Sequence, residues 1–367
     1  MIHYYITHFV LNFKSTPLRL IDYVSFRAGA SAMTAFFLVL LFGPFTVRML
    51  KRMNTVAADR YKDVDPTLVN KLKNKTPSMG GILIVSSITL SLLLWGDLTN
   101  ALLQIFLAAT IGFSLLGFLD DYAKTALQKS EGISGKSKMI FQILITLVSL
   151  YFFNQLSETG DILRDLYVPF IKDPVYVMPI WAAFLFGTLV VVGSSNAVNL
   201  TDGKDGLAVG CVTFCTLAYT AFAYMTGHRI FAGYLSLNYI PGSGEIAVFG
   251  STIAGACIGF LWHNCHPASM FMGDTGSLAL GGAVGLIAVL VKQEILLLLV
   301  GWVFVMEACS VMLQVASFKL TGKRIFLCSP IHHHFEKKGW PETQIVVRFW
   351  IIAGVCALLG LATLKLR

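Results

Sequence analysis

The sequence predicts an all-α, polytopic integral membrane protein, with both termini outside. Three observations carry that expectation. Of its 367 residues 56% are hydrophobic and only 13% charged, with a mean hydropathy of +0.71, whereas soluble domains are roughly a quarter charged. The apolar runs approach the ~20 residues a helix needs to cross a bilayer, and the chain has room for about ten of them. Those runs are too long and too uniformly apolar for barrel strands.

In order, residues 1–24 mix Lys14, Arg19 and Asp22 with aromatics and read as an amphipathic piece at the membrane surface. No basic start, apolar centre and cleavage site follow one another there, so no cleaved signal peptide is expected. The first span covers 26–49. A basic loop through Thr76 follows, then a second span over 77–95 and a tight turn at 96–100. The third span, 101–119, ends in Asp120-Asp121-Tyr122-Ala123-Lys124. A polar loop to Lys138 contains Gly132-Ile133-Ser134-Gly135-Lys136. The fourth span is 139–153, residues 154–178 form a polar outer loop, and the fifth span is 179–196. Between it and the sixth span (205–225) lies Asn196-Ala-Val-Asn-Leu-Thr-Asp-Gly-Lys-Asp-Gly206. Residues 227–245 read as a loop with a hairpin, and the seventh span is 246–262. A turn ends in Gly273-Asp274-Thr275-Gly276-Ser277, ahead of the eighth span to Val291. Lys292-Gln293-Glu294 is a tight turn. The ninth span, 295–318, carries Glu307 and Gln314, which share a face seven residues apart. A long loop with His332-His333-His334 precedes the tenth span, 344–364.

Alternate loops fall on opposite sides of such a chain. Roughly two thirds of the Lys and Arg residues lie on the side that holds the loops after spans one, three, five, seven and nine, which makes that side cytoplasmic. The whole chain reads as one transmembrane domain, 1–367, with site loops near 50–76, 120–138, 196–206, 263–277 and 319–343. The net charge of +8 follows from this bias and implies no nucleic acid. Seven cysteines at unpatterned spacings, mostly in apolar runs, imply no disulfide framework. The turn holding His263, Cys265 and His266 has no second ligand pair and reads as structural.

The chemistry gathers on one face. An ionised side chain within a span is costly unless it meets water, a partner or a metal. Asp120, Asp121, Asp202, Asp205 and Asp274 all stand at helix ends on the cytoplasmic side. Oxygen ligands without a cysteine or histidine ladder suit Mg2+. Glycine-containing turns at 132–136 and 272–277 can hold phosphate on backbone N–H groups. Lys71, Lys75, Lys124, Lys136 and Lys138 supply charge for a polyphosphate. Together these suit phosphoryl transfer, in which positioning and charge neutralisation dominate. A site at the inner face implies a water-soluble phosphate donor and a lipid acceptor. An ion-coupled transporter would place its acids near mid-membrane between repeats, and no repeat is visible.

These motifs, in this order, resemble the polyprenyl-phosphate N-acetylhexosamine-1-phosphate transferase superfamily. Thr76-Pro-Ser-Met-Gly-Gly81 and Pro330-Ile-His-His-His-Phe-Glu336 are similar to its phospho-N-acetylmuramoyl-pentapeptide transferase branch. Two departures stand out: Lys204 where that family usually has leucine, and Ser78 where it has threonine. The resemblance implies Mg2+-dependent transfer of phospho-N-acetylmuramoyl-pentapeptide from UDP-N-acetylmuramoyl-pentapeptide to undecaprenyl phosphate, in a bacterial inner membrane. The products would be lipid I and UMP. A UDP-N-acetylglucosamine donor is the alternative. It further implies Asp274 as principal metal ligand, with Asp202 able to join it, and Asp120 as base with Asp121 beside it. Asn199, Asp202 and Asp205 would hold the uridine end or shape the metal site. Lys71, Thr76 and Gln314 would contact the nucleotide. His332, His333 and His334 would face the diphosphate or sugar, with His333 counted among the catalytic groups. Lys124, Lys136, Gly273 and Ser277 would line the substrate, and a homodimer in membrane lipid is expected.

Overall fold

A computed structural model of the chain describes residues 20–53, 76–125, 132–156 and 160–365. The surface piece expected at 1–24 and the basic loop with Lys71 lie largely outside the described residues. The helices are α1 (Val24–Arg52), α2 (Gly81–Trp95), α3 (Ala101–Thr125), α4 (Gly135–Asn154), α5 (Ile180–Thr201), α6 (Leu207–Gly227), α7 (Arg229–Tyr234), α8 (Gly244–Asn264), α9 (Gly273–Leu290), α10 (Leu297–Val300), α11 (Trp302–Thr321), α12 (Ile331–Lys337) and α13 (Glu342–Ala362). Among the described residues nine helices are long and apolar enough to span a membrane, and α2 is a shorter apolar helix. With α2 counted, the ten expected spans are present, and the protein is an all-α, multi-pass membrane protein.

One helix organises the rest. Every residue of α9 from Asp274 to Leu290 is buried. It packs on α3 and α5 and also touches α2, α6 and α8. Five glycines and three alanines keep its surface low, which lets neighbouring backbones approach where lipid supplies no hydrophobic drive for association. The outer helices behave differently. α11 buries few residues and exposes Met312, Leu313 and Phe318, as a lipid-facing helix should.

The boundaries depart from the sequence expectation where polar residues continue a helix. α3 runs on through Asp120 and Asp121 to Thr125, and α5 runs through Asn199 to Thr201. The ninth span breaks at Gly301 into α10 and α11. Residues 227–245 hold the short helix α7 where a hairpin was expected. The loop 154–178 contains a two-residue antiparallel pair, β1 (Asp165–Leu166) with β2 (Tyr176–Val177). That loop is tied to the α9–α10 turn by Lys292 Nζ, which donates to Leu163 O at 3.3 Å and pairs with Glu294. Burial pushes the Glu294 carboxyl up, and Lys292 opposes the shift. All seven cysteines are free.

Candidate active site

Adjacent residues on a helix point about 100° apart, and Asp120 and Asp121 use that difference. Both are buried. Asp121 turns to the start of α9. Its carboxylate accepts from Asp274 N at 3.1 Å, Thr275 N at 2.9 Å and the Thr275 hydroxyl at 2.7 Å. The first turn of any helix has N–H groups without partners, and here another helix caps them. Gly117, one turn earlier on α3, makes the approach possible: a Cβ there would lie 2.1 Å from Asp274 O. Residues 77–81 brace the same corner, where Gly80 N donates to Phe271 O at 2.8 Å and Gly81 N to Met272 O at 2.9 Å. Gly273 itself has φ +72, a conformation open to glycine at little cost.

Asp120 turns to the other side. It pairs with Lys124 one turn on, with Lys138 at 2.9 Å, and accepts Ile133 N–H at 2.9 Å. The same two ammonium groups reach Asp274 Oδ2, Lys124 at 2.8 Å and Lys138 at 2.9 Å. Asp274 Oδ1 accepts from Asn199 Nδ2 at 2.8 Å, and Asn199 also reaches the Ser277 hydroxyl at 2.7 Å. Side chains from α3, α4, α5 and α9 thus form one cluster of two carboxylates, two lysines, an amide and a hydroxyl. Charges balance within it, which is what allows the acids to stay buried.

A second group lies around the turn after α5. Asp202 is the residue that ends that helix. Asp205 Oδ2 faces His266 Nδ1 at 3.1 Å and accepts Ala268 N–H at 3.2 Å, while Asp205 N donates to Glu342 at 3.1 Å. Asp205, His266 and Glu342 have ligand atoms within 4.8 Å of one another. Asp205 Oδ2 takes a hydrogen bond from both His266 and Ala268. The three histidines form part of helix α12 and have three different partners. His332 is fully buried with Nδ1 3.1 Å from Glu307 Oε2, and a Cβ on Gly203 would sit 2.3 Å from its Nε2. His333 Nδ1 lies 2.9 Å from Glu336 Oε2, and His334 Nδ1 accepts Leu327 N–H at 3.1 Å. Burial lowers the His333 pKa, while the hydrogen bond from His333 draws the Glu336 carboxyl down to about 2.

The structure brings together Asp120, Asp121, Lys124, Asn199, Gly273, Asp274 and Ser277. His332 and His333 stand beside the 202–205 turn. Thr76 braces the 263–271 turn through Ala268 O at 3.4 Å. Gln314 accepts N–H groups from Ile325 and Phe326 at 3.1 and 2.9 Å, so its side chain holds the loop before α12. Lys136 is exposed on the first turn of α4, away from the cluster that Lys138 joins. The sequence reading counted Lys138 among the lysines that supply charge for a polyphosphate, and left Lys204, Glu307, Glu336 and Glu342 out of the site. Glu307 carried a signal as an acid within an apolar run. Lys204 was noted only as a departure and Glu336 only as the end of the histidine motif, and Glu342 looked like an ordinary cytoplasmic charge.

Comparison with known proteins sets this geometry in a lineage. The pattern of glycosyl transferase family 4 matches residues 103–292. Signature 1 of the phospho-N-acetylmuramoyl-pentapeptide-transferases matches residues 73–85. The chain is 48% identical over 350 residues to the phospho-N-acetylmuramoyl-pentapeptide-transferase of Pelagibacter ubique (strain HTCC1062), covering 95% of this chain and 96% of the relative. It is 49% identical over 348 residues to the protein so named from Desulfotalea psychrophila (strain LSv54 / DSM 12343), covering 94% of each. Over 352 residues it is 45% identical to that of Methylacidiphilum infernorum (isolate V4), covering 95% of this chain and 96% of the relative.

Proposed function

Since the chain belongs to the phospho-N-acetylmuramoyl-pentapeptide-transferases of glycosyl transferase family 4, we infer how its buried acids and lysines perform that reaction. The enzyme transfers phospho-N-acetylmuramoyl-pentapeptide to a lipid carrier, the first membrane step of peptidoglycan synthesis. Our reading adds the partners: UDP-N-acetylmuramoyl-pentapeptide as donor, undecaprenyl phosphate as acceptor, lipid I and UMP as products. The site faces the cytoplasm from a bacterial inner membrane, and residues 1–367 act as a single domain.

Lys124 and Lys138 each pair with both Asp120 and Asp274. That shared bridge is the observation the proposal rests on. Incoming phosphate oxygens compete with the carboxylates for the ammonium groups, and Lys–phosphate pairing is charge-assisted. As the lysines turn to phosphate, Asp120 is released to take a proton from the acceptor phosphate. Asn199, held between Asp274 and Ser277, fixes the orientation of the Asp274 carboxylate. Asp121 keeps the first turn of α9 aligned beneath it. Asp202, Asp205 and Thr76 border the uridine end, and the histidine helix covers the diphosphate and sugar.

The donor set fits a hard divalent cation. Asp274 and Asp120 offer oxygen ligands that Lys124 and Lys138 now occupy; with the lysines turned to phosphate, one or two of these carboxylates and substrate phosphate would hold Mg2+. Asp274 would be the principal ligand, joined by Asp202 from the end of the helix that carries Asn199. Bound there, Mg2+ would neutralise charge on the transferred diphosphate. UMP release from UDP-N-acetylmuramoyl-pentapeptide, with undecaprenyl phosphate and Mg2+, tests the reading. A folded sample that turns over only UDP-N-acetylglucosamine, or neither donor, overturns it.

A further inference from the structure

Glu336 stands between two groups from different parts of the chain. Its Oε1 is paired with Lys204 Nζ, from the turn between α5 and α6, and its Oε2 lies 2.9 Å from His333 Nδ1 on its own helix. Lys204 and Glu336 are 132 residues apart. The Lys204 side chain is only 5% exposed and that of Glu336 is 40% exposed. An exposed lysine pair contributes little. A buried ammonium is costly without a partner, so the lysine has a strong reason to hold Glu336. The rest of α12 is fixed by apolar contact: Phe335 stacks on Trp340 at 4.6 Å and meets Phe349 at 6.1 Å. Those rings anchor the back of the helix. The Lys204–Glu336–His333 chain ties its front to the turn that carries Asp202 and Asp205.

We propose that Lys204 and Glu336 are a positioning pair that fastens the histidine helix to the acidic turn and sets His333 for the donor's diphosphate. The inference rests on the transferase reading above. Asp120, Lys124, Lys138 and Asp274 lie outside the pair. Loss of the pair should therefore weaken donor binding more than the chemical step.

The test is steady-state kinetics with UDP-N-acetylmuramoyl-pentapeptide, undecaprenyl phosphate and Mg2+ on wild type, K204M, E336Q, K204R and the K204M/E336Q double variant. Thermal unfolding in detergent serves as the folding check. Each neutral single variant should raise the donor KM about tenfold with kcat within about twofold. The double variant should be no worse than either single, because coupled residues are non-additive. K204R, which keeps the charge, should stay within about threefold of wild type. Singles with wild-type KM, or losses that multiply in the double variant, overturn the proposal; multiplication would mean that Lys204 meets the substrate directly. An inactive but folded wild type would sink the transferase reading, a result distinct from active wild type with indifferent variants.

Discussion

Asp274 receives two ammonium groups and an amide on one carboxylate, so replacing it removes the hub of the cluster. Asp274→Ala should cut turnover by about a hundredfold or more, the scale seen when a preorganised charge contact to a transition state is lost. Asp120→Asn should do the same, and UMP release on folded protein checks both. Asp121 differs in kind. As a cap with three hydrogen bonds it should cost about 1–2 kcal/mol of stability when changed to Ala, read as a lower unfolding midpoint alongside the loss of activity. The histidine helix has its own pH response. Glu336 titrates at about 2, below its ordinary value, and His333 also lies below its ordinary value. In both cases the folded state binds fewer protons than the unfolded chain. Their contributions are therefore complete above the ordinary His range and decline as pH falls, His333 first and Glu336 below pH ~4.5. The unfolding midpoint should drop between pH 7 and 4. At this scale the acids were legible because charge in apolar sequence needs a reason. The pairing of Lys204 with Glu336 was not, because only the fold brings together two residues 132 positions apart.

Among the elements, the contact between α3 and α9 sets the site. Gly117 has room for no side chain, with a Cβ 2.1 Å from Asp274 O, whereas a Cβ on Gly112 would meet only Ile145 at 3.4 Å. G117A should destabilise by about 1–3 kcal/mol through overpacking and displace Asp274, with a fall in turnover. G112A should stay near wild type in both measurements; equal effects would mean the α3–α9 approach does not set the chemistry. Hydropathy marked nearly every span, yet it stopped α3 at 119 and α5 at 196. Polar residues ended the apolar count, although hydrogen bonding in the helix continued through Asp120 and Asn199. The histidine segment read as loop for a related reason: α12 has seven residues, too few for a periodic pattern to emerge.

At the scale of the whole molecule, the helices were countable in the sequence but their neighbours were not. Nothing in residues 273–290 marks them as the interior except an excess of small side chains, and small residues also suit a lipid-facing helix. Sidedness is the remaining test. In a background with Cys265, Cys309, Cys328 and Cys356 replaced, K136C should react with a membrane-impermeant thiol reagent only from the cytoplasmic side and K172C only from the other. Labelling of both from one side would break the proposed orientation. The burial of α9 also bears on how the protein is made. Helices α1 to α8 leave the ribosome before the segment they surround, so α3 and α5 must wait in the bilayer with Asp120 and Asn199 lacking their common partner. The proposed catalytic centre can be assembled only after about three quarters of the chain has been translated. An interrupted synthesis would leave an inert set of helices in the membrane, with no partially active enzyme among them.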